Sequence, residues 1–344
     1  MKVTIERAAF LKALNHVQSV VERRNTIPIL SNVLLQADGG QIKLTATDLD
    51  IEVVETVPAD IAQGGATTAP AHMMHDIVRK LPDGAQLEIE QGPDEGRIAI
   101  FAGRSRFALQ ALPPEEFPDL AAGELANRFT VPAAEFKRLI EKTRFAISTE
   151  ETRYYLNGIY LHAVGEGDAA MLRAVATDGH RLAQVQVPLP EGAAGMPGVI
   201  VPRKTVLEVH RLIEDSDDAL EIALSSSKIR FGFDGIVLTS KLIDGTFPDY
   251  ERVIPKDNDK SMEVDTRLFA QAVDRVSTIS SEKGRAVKLH ISPERVVLTV
   301  NNPDSGSAEE EVAATYDGEP LDIGFNARYL LDITNQFGGD TARF

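Results

Sequence analysis

Apolar positions along the chain recur in two rhythms. A spacing of three and four residues predicts amphipathic helices through Phe10, Leu14, Val17 and Val21, through Phe136, Leu139 and Ile140, and through Phe269, Ala272, Val273 and Val276. Strict alternation predicts strands over Asn32 to Ala37 and Gln41 to Thr47, either side of an Asp38-Gly39-Gly40 turn. The same pairing of strands recurs over Gly158 to Val164 and Met171 to Thr177, and over Val287 to Ile291 and Arg295 to Val300. Each helix is entered from a short strand, with Ile5, Val131 and Val264 five residues ahead of Phe10, Phe136 and Phe269. The three phenylalanines stand 126 and 133 residues apart, which is the mark of an internal repeat.

A second half follows in each copy. Thr68-Ala69-Pro70 leads into a helix over His72 to Leu81, and Ile200-Val201-Pro202 into one over Arg203 to Ile213. Two strands come after each: Gln86 to Gln91 with Arg97 to Ala102, and Ala219 to Leu224 with Lys228 to Phe233. Both copies close on Phe-Pro-Asp, at Phe117-Pro118-Asp119 and Phe247-Pro248-Asp249, where proline is expected to end a strand and begin a connector. The third copy has its counterpart of Pro202 at Asn326 and a helix at Arg328 to Gln336. It then has 18 residues left, against 47 from Pro70 to Phe117 and 45 from Pro202 to Phe247. By that arithmetic the third copy is expected to be incomplete by roughly 25 residues, two or three strands. The pattern therefore predicts an α+β chain of three similar domains, 1–125, 126–257 and 258–344, each with two helices on one side of antiparallel sheets.

Composition narrows the function. The 344 residues include no cysteine, which removes disulfides, thiolate chemistry and cysteine-ligated zinc. MKVTIERAAF lacks the apolar core of a signal peptide, and no apolar run approaches the ~18 residues of a membrane span, so a cytoplasmic location is expected. The net charge of -16 is unevenly spread. The six helical stretches carry 16 Lys/Arg against 8 Asp/Glu, leaving the rest of the chain at -24. Helices lining one surface toward a polyanion, inside an acidic shell, would bind nucleic acid without reading sequence and in a salt-sensitive way. The plainer reading is that exposed helix faces favour Lys and Arg.

Candidate chemistry is sparse. No Gly-x-x-x-x-Gly-Lys, Gly-x-Gly-x-x-Gly or His-Glu-x-x-His motif occurs. His72 and His75 stand three apart on a helix, a possible metal pair or a solvated basic face. Asp48, Asp50 and Glu52 alternate as one strand face would, and could hold a hard cation in a metal-dependent nucleic-acid enzyme. Asp178 and His180 could form an acid-base pair, but the turn supplies no nucleophile beyond Thr177. Asp178 more simply caps its own turn, with Gly179 taking an unusual backbone angle.

Longer motifs now stand out. TIPILSNVLL at Thr26 to Leu35, TDLDIE at Thr47 to Glu52, RYYLNGIYL at Arg153 to Leu161 and ATDGHRLA at Ala176 to Ala183 resemble the bacterial DNA polymerase III beta subunit family, the sliding clamps. VPRK at Val201 to Lys204, TSKLIDGTFPDYERVIPK at Thr239 to Lys256 and IGFNARYLLD at Ile323 to Asp332 extend that resemblance over the whole chain. It implies a DNA clamp fold and a ring-shaped dimer, with two three-domain chains joined head to tail. Helices would line the hole around double-stranded DNA, with no catalytic activity and no cofactor. It implies DNA contact at Arg24, Tyr154, Tyr155, Arg203 and Lys204. It also implies a peptide-docking pocket from Leu156, Thr177, Gly179, His180, Arg181, Leu182, Pro248, Arg252, Val253, Asn326 and Tyr329. The subunit interface would set Arg104, Arg106 and Phe107 against Ile279, Glu309, Glu310 and Glu311 of a second copy. Expected partners are the catalytic subunit of DNA polymerase III, the clamp-loader ATPase, other polymerases and repair proteins. The family's closing strand and short apolar tail, which complete the pocket wall, have no match in this sequence.

Overall fold

The computed structural model describes residues 1–92, 96–120, 123–214, 216, 218–280 and 285–344. Three copies of one order of elements follow each other. The first runs β1 (Lys2–Glu6), α1 (Arg7–Val17), β2 (Asn32–Asp38), β3 (Gln41–Thr47), β4 (Ile51–Pro58), β5 (Asp60–Gln63) and β6 (Gly65–Pro70). It finishes with α2 (Ala71–Lys80), β7 (Gln86–Gln91), β8 (Arg97–Ala102) and β9 (Ser105–Gln110). The second runs β10 (Asn127–Pro132), α3 (Ala133–Glu141), β11 (Gly158–Val164), β12 (Met171–Thr177), β13 (Leu182–Pro188) and β14 (Val199–Pro202). Its second half is α4 (Arg203–Leu212), β15 (Ala219–Leu224), β16 (Lys228–Phe233) and β17 (Ile236–Lys241). The third comprises β18 (Met262–Asp265), α5 (Thr266–Ser277), β19 (Ala286–Ser292), β20 (Arg295–Asn302) and β21 (Gly306–Tyr316). β22 (Leu321–Asn326), α6 (Ala327–Thr334) and β23 (Thr341–Arg343) follow.

The helices start where a strand's last residue can cap them. Glu6 accepts a hydrogen bond from the Ala9 amide at 3.0 Å, and Asp265 from that of Leu268 at 2.7 Å. Pro70, Pro132 and Pro202 hold the corresponding place ahead of α2, α3 and α4, where the fixed proline angle suits the change from strand to helix. α1 stops at Val17, short of the run predicted through Val21. A 3-10 turn over Gln18–Val20 redirects the chain and buries both Val20 and Val21.

The chain divides into two compact units, Met1–Phe247 and Pro248–Phe344. In the first, the strand order is β5-β1-β7-β8-β9 in one sheet, β13-β12-β11-β14 in a second, and β10-β15-β16-β17-β4-β3-β2-β6 in a third. That eight-stranded sheet crosses from the second copy to the first. β17 pairs antiparallel with β4, from Ile236 opposite Glu55 to Ser240 opposite Ile51. The second unit is one six-stranded sheet, β22-β19-β20-β21-β18-β23, with α5 and α6 packed together. The first two copies each have three strands after their second helix, one more than the alternation predicted. The strands end at Gln110 and Lys241, so the Phe-Pro-Asp tripeptides lie in irregular chain beyond them instead of ending a strand.

The face of each sheet toward its helices is apolar. Phe231 of β16 is fully buried, its ring 5.5 Å from that of Phe136 on α3. Replacing Phe231 by alanine removes that contact and leaves a cavity, so Phe231→Ala is expected to cost about 3–5 kcal/mol in chemical denaturation.

Candidate functional site

Two turns in the first unit are built bond for bond alike. Between β12 and β13, the Thr177 hydroxyl donates to Arg181 O at 2.7 Å and accepts from the Gly179 amide at 3.1 Å. Asp178 Oδ1 accepts from the amides of His180 at 2.9 Å and Arg181 at 3.0 Å. Between β3 and β4, the Thr47 hydroxyl donates to Ile51 O at 2.8 Å and accepts from the Leu49 amide at 3.0 Å. Asp48 Oδ1 accepts from the amides of Asp50 at 2.9 Å and Ile51 at 2.7 Å. Threonine and aspartate are the residues whose short side chains can satisfy a turn's backbone in this way. The third position has positive φ in both, 87° at Gly179 and 79° at Leu49. Leucine in that region costs roughly 1–2 kcal/mol, which the four bonds offset.

The turns differ in what holds the second carboxylate oxygen. Asp178 Oδ2 accepts from Nε of Arg181, 3.1 Å away in its own turn. Arg181 also donates through Nη2 to Phe145 O at 2.7 Å and lies over the Phe145 ring at 5.3 Å. The guanidinium is thereby committed to the fold, and the turn presents the half-buried Leu182 beside exposed Gly179 and His180. A side chain at Gly179 would run into the guanidinium of Arg153, which Glu150 holds at 2.7 Å. Leu156 is buried, its carbonyl accepting from the Ser148 amide at 3.1 Å. The remaining pocket candidates belong to the second unit. There Pro248, Arg252 and Val253 are exposed, with Val253 70% accessible, and Arg252 lies 3.7 Å from Asp249. Asn326 caps α6 by accepting from the Arg328 amide at 2.9 Å, one turn ahead of half-buried Tyr329.

Asp48 is held instead by Lys204 of α4, which also reaches Glu22 at 3.3 Å. Burial works against the Lys204 charge, but the hydrogen bond and field of Asp48 outweigh it and keep the ammonium above its ordinary range. Asp50 pairs with Lys241 at 3.0 Å. Asp48 and Asp50 lie in the turn and not on a strand, since β4 begins at Ile51. Glu52 faces elsewhere and accepts from the Leu120 amide at 3.3 Å. The three carboxylates thus serve three different partners, and the common strand face expected for a cation is not formed. His72 and His75 are also used internally. His72 Nε2 donates to Val21 O at 2.9 Å, and His75 Nε2 to Asn15 Oδ1 at 2.6 Å. Burial pushes His75 below the ordinary histidine range. Among the described residues no three His, Asp or Glu side chains gather as metal ligands.

The DNA candidates fall on adjoining segments. The Lys204–Glu22 contact places the loop bearing exposed Arg24 beside the start of α4, where Arg203 is also exposed. The Arg203 amide donates to Asn157 O at 2.9 Å, which sets α4 against the segment of Tyr154 and Tyr155. Those rings meet edge to face at 5.8 Å, and Tyr154 is 52% accessible. Of the interface candidates, Arg106 and half-buried Phe107 lie on edge strand β9, with Arg104 in the turn before it. In the second unit, β18 pairs with Ala314 to Tyr316 of β21, so among the described residues the strand before Ala314 has no partner strand on that side. Glu310 there pairs with Arg275, and Glu311 with Arg295 at 2.9 Å, while Glu309 is exposed. The Ile279 carbonyl accepts from Asn302 Nδ2 at 2.9 Å.

Three repeated domains of this build match a known class, the processivity factors of DNA replication. The chain matches the N-terminal domain of the DNA polymerase III beta subunit over residues 1–121, the central domain over 130–249 and the C-terminal domain over 251–344. It is 58% identical to the beta sliding clamp of Caulobacter vibrioides and 42% identical to that of Escherichia coli K12, in each case over 100% of this chain and 92% of the relative. A sliding clamp from Bartonella birtlesii, solved bound to griselimycin, has 54% identity and a TM-score of 0.97 over 100% of this chain and 92% of its own. A Caulobacter crescentus clamp gives 58% and 0.95 over the same shares. The chain belongs to the DNA polymerase III beta subunit family, the beta sliding clamps, and is not an enzyme. No described helix is long and apolar enough to cross a membrane.

Burial holds the Glu52 carboxyl above its ordinary range. The folded protein therefore binds this proton more tightly than the unfolded chain, and the ionised carboxylate lowers stability once pH exceeds the unfolded value of about 4.3. Glu52→Gln keeps an acceptor for Leu120 and is expected to raise the denaturation midpoint at pH 7. The gain should shrink toward zero as pH falls below the unfolded value, in paired urea titrations.

Proposed function

We propose that two copies of this chain close head to tail into a six-domain ring that slides on double-stranded DNA without reading its sequence. The observation that carries this reading is the β4–β17 pairing. The strand after the Thr-Asp turn in one copy pairs with the last strand of the next. β21 and β9 occupy those two places in the third and first copies, and each has an open edge. The same rule pairs β21 of one chain with β9 of the other, bringing Arg104, Arg106 and Phe107 to Ile279 and Glu309–Glu311. Glu310 and Glu311 already have partners, so Glu309 is the acid left to meet Arg104 and Arg106.

On this reading the domains are 1–125, 126–257 and 258–344, and Arg24, Tyr154, Tyr155, Arg203 and Lys204 face DNA. Lys204 contributes less than its charge suggests, because Asp48 and Glu22 compete with phosphate for it. The ledge of Leu156, Thr177, Gly179, His180, Arg181 and Leu182 in the first unit receives short peptides ending in apolar residues, a role the family resemblance also gives to Pro248, Arg252, Val253, Asn326 and Tyr329. Relatives solved with griselimycin bound support a pocket of this kind. The partners would be the DNA polymerase III catalytic subunit, the clamp-loader ATPase, other polymerases and repair proteins. The protein would act in the cytoplasm, on the nucleoid.

Topology is tested by loading the protein onto nicked circular DNA with a clamp loader. Retention on the circle and release when it is linearised are expected; equal retention on both forms would sink the ring. For the pocket, Leu182→Ala should weaken binding of a fluorescent Leu-Phe-ending peptide by roughly tenfold, as one lost apolar anchor would, with the sedimenting mass unchanged. An unaltered titration would count against the assignment.

A further inference from the structure

The first unit also holds a cavity of about 680 Å³ on one face of the eight-stranded sheet, over β10, β15, β16 and β17, with Phe129 and Ile222 among its lining residues. Two rows of side chains cross this face. One runs through Arg128, Ala223, Arg230, Thr239 and Glu52, the other through Thr130, Glu221, Gly232 and Val237, each residue directly opposite the next on the neighbouring strand. The two smallest residues, Ala223 and Gly232, form the floor, and charged side chains stand around them. Arg128 and Arg230 flank Ala223 at two strand spacings, about 10 Å between backbones. Glu221 stands two residues along β15 from Ala223, about 7 Å away. Glu191 lines the same cavity from the connection between β13 and β14.

Cross-strand neighbours of opposite charge ordinarily neutralise each other. Here they are set apart by the small residues. No ion pair engages Arg128, Glu191, Glu221 or Arg230 among the described residues, although Arg230 also feels the charge of Glu52, two strands further along its row. Arg128 Nε donates to Leu125 O at 3.4 Å, whereas Arg230 Nε is buried with no hydrogen-bond partner. The lining is neutral in sum and polarised along the strands, cationic at one row and acidic at the next. A simple anion would gain the arginines and meet repulsion from the glutamates. An apolar ligand would cover charged side chains without answering them. A molecule with both charges, spaced like the rows, satisfies both ends.

We propose that this trough binds a small zwitterion of the amino-carboxylate class, its carboxylate between Arg128 and Arg230 and its ammonium at Glu221 and Glu191. Guanidinium forks suit a carboxylate, and Arg128 and Arg230 both line the trough. The test is calorimetric titration of the full chain with 6-aminohexanoate, with hexanoate and hexylammonium as single-charge probes. Saturable binding of one zwitterion per chain is expected, with each single-charge probe at least about tenfold weaker. Arg230→Met should weaken the zwitterion by about tenfold or more. Gly232→Val fills the floor while keeping every charge, and its added Cβ meets only the Glu221 side chain, at 3.8 Å. It should abolish binding with an unchanged melting temperature. Hexanoate binding as tightly as the zwitterion, zwitterion binding that survives both substitutions, or no saturable binding by any probe would overturn the proposal.

Discussion

A strand at the edge of a sheet exposes a row of backbone donors and acceptors that must find partners in water or in another strand. In this chain that constraint decides how the copies join. β4 and β17 would each be an edge if the copies folded separately, and pairing them makes one sheet of eight strands. The rest of the junction follows from that register. With β17 against β4, α4 lies beside the end of α1, and Arg211 donates to His16 O at 2.9 Å while Lys204 reaches Asp48 and Glu22. The unit boundary therefore falls at Phe247, after the second copy, and not between the first two.

The same geometry moderates the charge argument. The excess of Lys and Arg on the helices is real, but part of it is spent inside the protein. Lys204 and Arg211 tie copies together, and Arg275 is held by Glu310. Arg24, Arg138, Arg203 and Arg267 are not ion-paired among the described residues, and only cations of that kind can release counterions from DNA at full strength.

Repeat spacing made most of the architecture legible, because three copies of an alternating strand reinforce one another. Gly158–Val164 and Met171–Thr177, for example, begin and end where the alternation does. β9 was not legible: only Leu109 of its six residues is buried, so alternation of hydrophobic and polar residues hardly shows. β21 is masked for a similar reason, since Ser307 to Glu311 reads as a polar loop although it carries a full ladder to β20. The site was legible in its motifs but not in its economy. That Arg181 props Phe145 and that Lys204 answers Asp48 depends on residues 36 and 156 positions apart, which no local pattern reports. The supporting roles of Arg153 and Phe145 were missed on the same ground, although Arg153 stands at the head of a recognised motif.

The twin Thr-Asp turns let the chain serve as its own control experiment. Leu49 shows that this turn tolerates a bulky L-residue in the left-handed region. Gly179, in the matching frame, has a similar left-handed angle, which would strain any L-residue placed there. The two positions also differ in their surroundings, since the end of the Arg153 side chain lies where a Cβ at 179 would stand and would have to swing aside. The frame thus holds its shape through its own side-chain bonds in both places, and a change at Arg153 alters the room at position 179 without touching the bonds that make the turn.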